Sequence, residues 1–281
     1  MNILIPVLTL GALGLLFGIG LAIAQRVFHV EQDPALEKIN GLLPGANCGA
    51  CGQAGCFALA EALLGKKTDP GACSLVNSET AKKISEILGI EAKARQKQYA
   101  DGICSGGSAA KDKYEYIGVE DCAAAGMLEG GQKACRFGCL GFGTCKKACP
   151  FGAIAMDKET GLPVVLKEKC VACGKCVEAC PKGIMRLFPQ KAAFLIKCAS
   201  HDMGAQVMKV CKNGCIGCGK CVKVCPGNAI TIIDSLAVID YEKCTHCGEC
   251  VKACPTKVIK GSDPRPKLVP TTGSDPNKRS K

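Results

Sequence analysis

The chain has 281 residues, a formal charge of +11 and 24 cysteines, and it lacks tryptophan. That cysteine content leaves a disulfide framework, structural zinc or iron-sulfur clusters, and the regular spacing without a defensible cleavable export signal argues against a short secreted disulfide scaffold. Ligand thiols are deprotonated and a 2+ core on four thiolates is net negative, so five clusters would lower the charge to about +1 and six to about −1, which removes basicity as an argument for nucleic acid.

The first predicted element runs from Ile3 to Ala24, where no side chain is formally charged. About 20 apolar residues suffice to cross a bilayer. Only the terminal amine precedes the run, and Arg26 follows it, so the reading is a membrane anchor at residues 1–26 with the C-terminal part in the cytoplasm. Reducing conditions there suit thiolate ligands. Gly11, Gly14, Gly18 and Ala22 form a small-residue stripe that would admit a neighbouring helix.

An N-terminal unit is expected at 33–92. Cys48, Cys51, Cys56 and Cys73 follow the spacing C-x2-C-x4-C-x16-C, a complete set of four for one [4Fe-4S] cluster. Gly45, Gly49, Gly52 and Gly55 permit the turns that converging thiolates need. A short helix is predicted over Phe57 to Leu64, a turn at Asp69-Pro70-Gly71, and an amphipathic helix from Ser78 to Leu88. Residues 93–126 read as a connecting segment.

Residues 127–197 and 198–261 read as tandem two-cluster ferredoxin-like units. Four segments end in Cys-Pro, and three have the full bacterial form C-x2-C-x2-C-x3-C-P, in which the fourth cysteine serves the other cluster. The crossed sets are then Cys215, Cys218, Cys221 with Cys254; Cys244, Cys247, Cys250 with Cys225; and Cys170, Cys173, Cys176 with Cys149. The remaining segment departs from the pattern: Phe142 falls where Cys218 stands in the later copy, and Cys135 is the expected replacement, giving Cys135, Cys139, Cys145 and Cys180. Cys149-Pro150 and Cys225-Pro226 lie 76 residues apart, as a tandem duplication requires. Hairpins are predicted for Ile154 to Met156 with Val164 to Leu166, Ile184 to Phe188 with Phe194 to Ile196, and Ile230 to Ile233 with Val238 to Ile239.

Twenty cysteines make five clusters. Cys104, Cys122, Cys198 and Cys211 remain, the number a sixth cluster would need; the other reading is small buried or protected thiols. Cys211 precedes Cys215 by the interval that separates Cys135 from Cys139, and an exchange of roles between Cys211 and Cys135 stays open. His246, inside a cysteine loop, is read either as tuning a cluster or as an exposed loop residue. Lys146, Lys147, Lys175, Lys220 and Lys223 stand beside the cysteine runs as solvated residues that together could steer an acidic partner. No G-x-G-x-x-G sits in a strand-to-helix setting, so no dinucleotide site is expected. Residues 262–281 read as a disordered basic tail. The fold class is thus one N-terminal transmembrane helix followed by small α+β iron-sulfur domains.

The run N-G-L-L-P-G-A-N-C-G-A-C-G-Q-A-G-C at Asn40 to Cys56 and A-C-R-F-G-C-L-G-F-G-T-C at Ala134 to Cys145, behind a single membrane helix, resemble the B subunit of the Rnf ion-translocating ferredoxin:NAD+ oxidoreductase complex, in its long, multi-cluster form. The resemblance implies a translocase subunit in the cytoplasmic membrane. Its clusters would take electrons from reduced ferredoxin and pass them to membrane subunits of a complex that reduces NAD+ and moves Na+ or H+. Because the Cys48 set lies nearest the anchor in sequence, exit is expected there and uptake at the duplicated units, with no catalytic residue expected in this chain. The alternatives are a related membrane reducing system serving a redox sensor or another low-potential acceptor, and a structural zinc scaffold.

Overall fold

The computed structural model describes residues 4–27, 33–90 and 96–261. The expected tail, and His29, lie outside the described residues.

Helix α1 (Leu4–Val27) is continuous, and its stretch Val7–Val27 is long and apolar enough to cross a membrane. Its large apolar side chains, from Leu8 through Phe17 to Ile23, are exposed, so none of the other described residues covers them. A Cβ added at Gly11, Gly14 or Gly18 would meet nothing within 4 Å, so the small-residue stripe is open.

The N-terminal unit is built from α2 (Pro34–Leu42), α3 (Cys56–Leu64) and α4 (Ser78–Leu88). Each start is locally specified. Asp33 accepts the amide of Ala35 ahead of Pro34, Asn47 accepts the amide of Cys56 at 2.8 Å, and Asn77 accepts the amide of Thr80. Gly89, in the left-handed region at φ 64°, ends α4. Ile39, Leu59, Leu63 and Ile84 are fully buried where the three helices meet, each stabilising the unit by about 1.5–3 kcal/mol. Between α3 and α4 the Asp69-Pro70 turn brings Cys73 onto this core, with Gly71 donating to Asp69.

The remaining elements are short: β1 (Gln98–Gly102), α5 (Cys122–Met127), α6 (Thr144–Lys147), β2 (Ile154–Met156), β3 (Pro163–Val165), α7 (Lys175–Glu178), β4 (Met185–Pro189), β5 (Phe194–Ile196), α8 (Gly204–Val210), α9 (Lys220–Lys223), β6 (Ile230–Ile233), β7 (Leu236–Ile239), α10 (Glu249–Ala253) and β8 (Ile259–Gly261). Among the described residues the strands form four antiparallel pairs, β1·β4, β2·β3, β5·β8 and β6·β7. The β6–β7 hairpin turns on Asp234 and Ser235, both at positive φ, which matches the strand twist.

Two of the three expected hairpins form. The third does not: β4 and β5 do not pair with each other. Strand β4 takes β1 along five residues, from Gln98 opposite Pro189 to Gly102 opposite Met185, while β5 takes β8. A five-residue ladder satisfies more backbone groups than the three residues that β5 could offer. Between them Ala192 is buried and its carbonyl accepts the Tyr99 hydroxyl, so the intervening turn packs against β1. Strand β1 comes from the stretch expected only to connect units, and β5, expected at the end of the first ferredoxin-like unit, pairs instead with β8 at the end of the second, so the second unit begins before residue 198.

Candidate metal centres

The four Cys-Pro segments fold alike. In each, a glycine at positive φ (Gly143, Gly174, Gly219, Gly248) opens a single helical turn, α6, α7, α9 or α10, whose second residue is a buried cysteine: Cys145, Cys176, Cys221 or Cys250. A helix this short does not sustain itself, and its place is set by what the cysteine packs against. The tight cysteine loop before it also needs a left-handed residue, supplied by Gly141, Ala172, Gly217 and His246. His246 is exposed, so the structure gives it a backbone position in the loop and no buried contact. In the Cys-Pro cysteines the sulfur accepts the amide four residues on: Ala153 to Cys149, Ile184 to Cys180, Ala229 to Cys225 and Val258 to Cys254.

These repeats enclose four cavities, each lined by four cysteines. One of about 320 Å³ carries Cys149, Cys170, Cys173 and Cys176 under Ala100, Ile154 and Val165. One of about 330 Å³ carries Cys215, Cys218, Cys221 and Cys254 under Ile232, Ala237 and Ile259. One of about 340 Å³ carries Cys225, Cys244, Cys247 and Cys250 under Phe194, Ile230 and Ile239. In all three the fourth cysteine comes from the other half of the unit, as the crossed reading expects. The strands supply the apolar lids.

The fourth cavity, about 360 Å³, carries Cys139, Cys145, Cys180 and Cys122, with Leu140, Met156 and Met185. Cys135, the expected fourth member, is not on this wall. Phe142, at the loop position where the later copy carries Cys218, packs its ring at 5.1 Å on Tyr116. Cys122 reaches the cavity through a clasp. Its amide donates to the Thr144 hydroxyl at 2.8 Å, that hydroxyl donates to Asp121, and Asp121 also caps α5 by accepting the amides of Ala123 and Ala124. The Thr144 hydroxyl bond is the main reason the Asp121 carboxyl lies below the usual carboxylate range. Since Thr144 precedes Cys145, the clasp fixes Cys122 against its neighbour. The sequence cue was an Asp before a cysteine that opens a short alanine-rich helix; the partner 22 residues away was not readable.

In the N-terminal unit Cys51, Cys56 and Cys73 share one apolar cluster, and Cys48 and Cys51 are the thiol neighbours that, after burial, push Cys73 up. Of the remaining cysteines, Cys104 and Cys211 are the thiol neighbours of Cys135, and Cys104 is also one of Cys198.

Burial, with adjacent thiols adding to it, pushes Cys139 and Cys176 up to about 12 and Cys145 and Cys221 up to about 11. Four thiols gathered under an apolar lid therefore resist ionisation unless a cationic core joins them, and a bound metal deprotonates a coordinating thiol outright. Among the described residues no three Cys, His, Asp or Glu side chains stand close enough to hold one metal ion. The thiols line cavities instead of meeting at a point, a spacing suited to a multi-iron core.

Comparison with known proteins agrees. A 4Fe-4S dicluster domain family matches residues 134–184 and 214–258, and a putative Fe-S cluster family matches 43–74. The chain is 48% identical over 86% of its length to the B subunit of the Na(+)-translocating ferredoxin:NAD(+) oxidoreductase complex of Acetobacterium woodii, covering 73% of that protein. It is 44% identical to the B subunit of the ion-translocating oxidoreductase complex of Methanosarcina acetivorans, over 84% of this chain and 89% of the relative. With the B subunit of the proton-translocating ferredoxin:NAD(+) oxidoreductase complex of Clostridium ljungdahlii it shares 42% identity over 87% of each.

Proposed function

The chain belongs to the B-subunit family of ion-translocating ferredoxin:NAD(+) oxidoreductase complexes, and on that footing we propose that it takes electrons from reduced ferredoxin and delivers them to the membrane subunits. It is an electron-transfer subunit with [4Fe-4S] domains. The finer reading assigns one cluster to each of five sets: Cys48, Cys51, Cys56, Cys73; Cys149, Cys170, Cys173, Cys176; Cys122, Cys139, Cys145, Cys180; Cys215, Cys218, Cys221, Cys254; and Cys225, Cys244, Cys247, Cys250. When bound, such a cluster gains and returns a single electron. The chain's own part is to hold thiolates, exclude water and keep neighbouring sets close.

The single observation that carries this reading is the presence of four cavities with four cysteines each. Their order supports a relay. Cys145, Cys149, Cys176 and Cys180 share one apolar core, so two sets abut there. Cys48 is a thiol neighbour of Cys173, so the N-terminal unit lies beside the first ferredoxin-like unit. At the far end Cys218 and Cys247 are exposed, and so are Lys220 and Lys223. That end suits an acidic donor, and the N-terminal set, next to α1 in the chain, suits delivery to membrane partners. The anchor would cross the membrane once, with the cluster units in the cytoplasm.

The test is kinetic. Reduced ferredoxin mixed without oxygen with the oxidised complex should bleach its visible absorption. Cys48→Ala with Cys51→Ala should preserve bleaching of the outer sets and abolish NAD+ reduction. No bleaching on mixing would contradict the reading.

A further inference from the structure

After each Cys-Pro pair the backbone turns in the same way. The amide three residues on donates to the cysteine carbonyl, Gly152 to Cys149, Gly183 to Cys180, Asn228 to Cys225 and Lys257 to Cys254, and that third residue stands at positive φ in all four. A turn fixed at both ends holds the residue between the proline and the left-handed position in one place. That residue is also where the copies differ: it is Phe151, Lys182, Gly227 or Thr256.

Three of these residues line the cavity of their own cysteine, Phe151 with Cys149, Lys182 with Cys180 and Thr256 with Cys254. Their polar ends differ. Phe151 has no side-chain hydrogen-bonding group, and Lys182 sends its ammonium to the Arg136 carbonyl at 2.7 Å. Thr256 turns back on the loop, and its hydroxyl oxygen lies 3.7 Å from the Cys254 sulfur. A thiolate that holds metal can only accept, so the hydroxyl is then the donor. Gly227, in the sister loop of the same unit, has no room to imitate it. A Cβ there would meet the Lys243 carbonyl oxygen at 2.8 Å, backbone next to Cys244.

Hydrogen bonds to the sulfurs of a cluster help set its potential, because a donor offsets the negative charge that reduction adds. The amide four residues on reaches the Cys-Pro sulfur in all four copies, so it makes no difference between them. The Thr256 hydroxyl is an additional donor, and its set includes the exposed Cys218, where an electron from outside would arrive. We infer that Thr256, acting through the Cys254 sulfur, raises the reduction potential of a cluster on Cys215, Cys218, Cys221 and Cys254, and so makes this exposed set a better electron acceptor. The inference rests on the reading that this set holds a cluster.

The test is a redox titration followed by low-temperature paramagnetic resonance, on full-length chain made and purified without oxygen, with iron counted on every sample. The component that belongs to this set is the one lost in Cys215→Ala with Cys218→Ala. Thr256→Val keeps the side-chain shape without the hydroxyl. It should hold as much iron as wild type and move that component alone to a more negative potential. Thr256→Ser keeps the hydroxyl and should titrate as wild type. A component that stays in place in Thr256→Val, a shift shared by every component, or a serine variant that moves as far as the valine one overturns the inference and leaves the proposed function standing. If Thr256→Val does not fold, Thr256→Ser and Thr256→Ala make the same comparison, and equal potentials in the two overturn the inference. A wild-type chain with almost no iron overturns the proposed function itself.

Discussion

The ammonium of Lys197 lies 2.7 Å from a carboxylate oxygen of Asp101, with both side chains buried, and it also donates to the Gly102 carbonyl at 3.0 Å. This pair ties the residue before Cys198 to β1, two residues ahead of Ile103 and three ahead of Cys104. It thus clamps the start of the second ferredoxin-like unit to the first.

Removing one partner should be costly. Asp101→Ala leaves a buried ammonium unpaired, and we expect a loss of about 3–5 kcal/mol in denaturant unfolding, with Asp101→Ala/Lys197→Met recovering most of it. Burial already pulls Lys197 below the ordinary lysine range, with Asp101 opposing. In the single variant the folded chain releases this proton before the unfolded chain does. Its deficit is therefore full below the depressed value and shrinks as pH rises toward about 10.4. A deficit that is constant from pH 7 to pH 10 would show that the lysine escapes to solvent.

The clasp at Cys122 gives a second expectation. Thr144→Val removes the hydroxyl that joins the Cys122 amide to Asp121, while leaving every cysteine in place. We expect faster loss of iron from the Cys139 set on exposure to oxygen, followed as decay of its paramagnetic signal, and little change in the Cys225 set. Equal decay in both would deny the clasp a role.

How much was legible in sequence follows from contact range. The loops around Cys170, Cys215 and Cys244 were readable because their cysteines, glycines and Cys-Pro ends are local, and the repeat pointed to the fourth cysteine that lines each cavity from the other half. The helices over Phe57–Leu64 and Ser78–Leu88 were readable from periodicity and caps. The pairing of β1 with β4 and of β5 with β8 was not, since three- to five-residue strands show no register until a distant partner is known. The sequence grouped Cys122 with Cys104, Cys198 and Cys211, and its place on the cavity of Cys139 was not readable for the same reason: that position depends on Thr144 and not on motif spacing.

Gly217 tests the close approach of loop and lid. It stands at φ 63°, and a Cβ there would meet the Ser235 carbonyl oxygen at 2.7 Å, backbone that cannot swing aside. Gly217→Ala should destabilise the second unit by about 1–3 kcal/mol, seen as a lower unfolding midpoint and earlier bleaching of its clusters. An unchanged midpoint would mean the β6–β7 turn yields freely.

Deleting residues 1–27 tests the anchor. The shortened chain should leave the membrane fraction and keep its iron, because α1 covers none of the cluster units. Retention in washed membranes would show that partner contacts, not α1, hold the chain there.

The central claim is tested most directly by low-temperature paramagnetic resonance on the full-length chain, isolated and reduced without oxygen, with iron and sulfide measured on the same sample. The account predicts about 20 or more irons, matching sulfide, and broadened signals from neighbouring reduced [4Fe-4S] clusters. Zinc in place of iron, or fewer than about four irons without such signals, would contradict it.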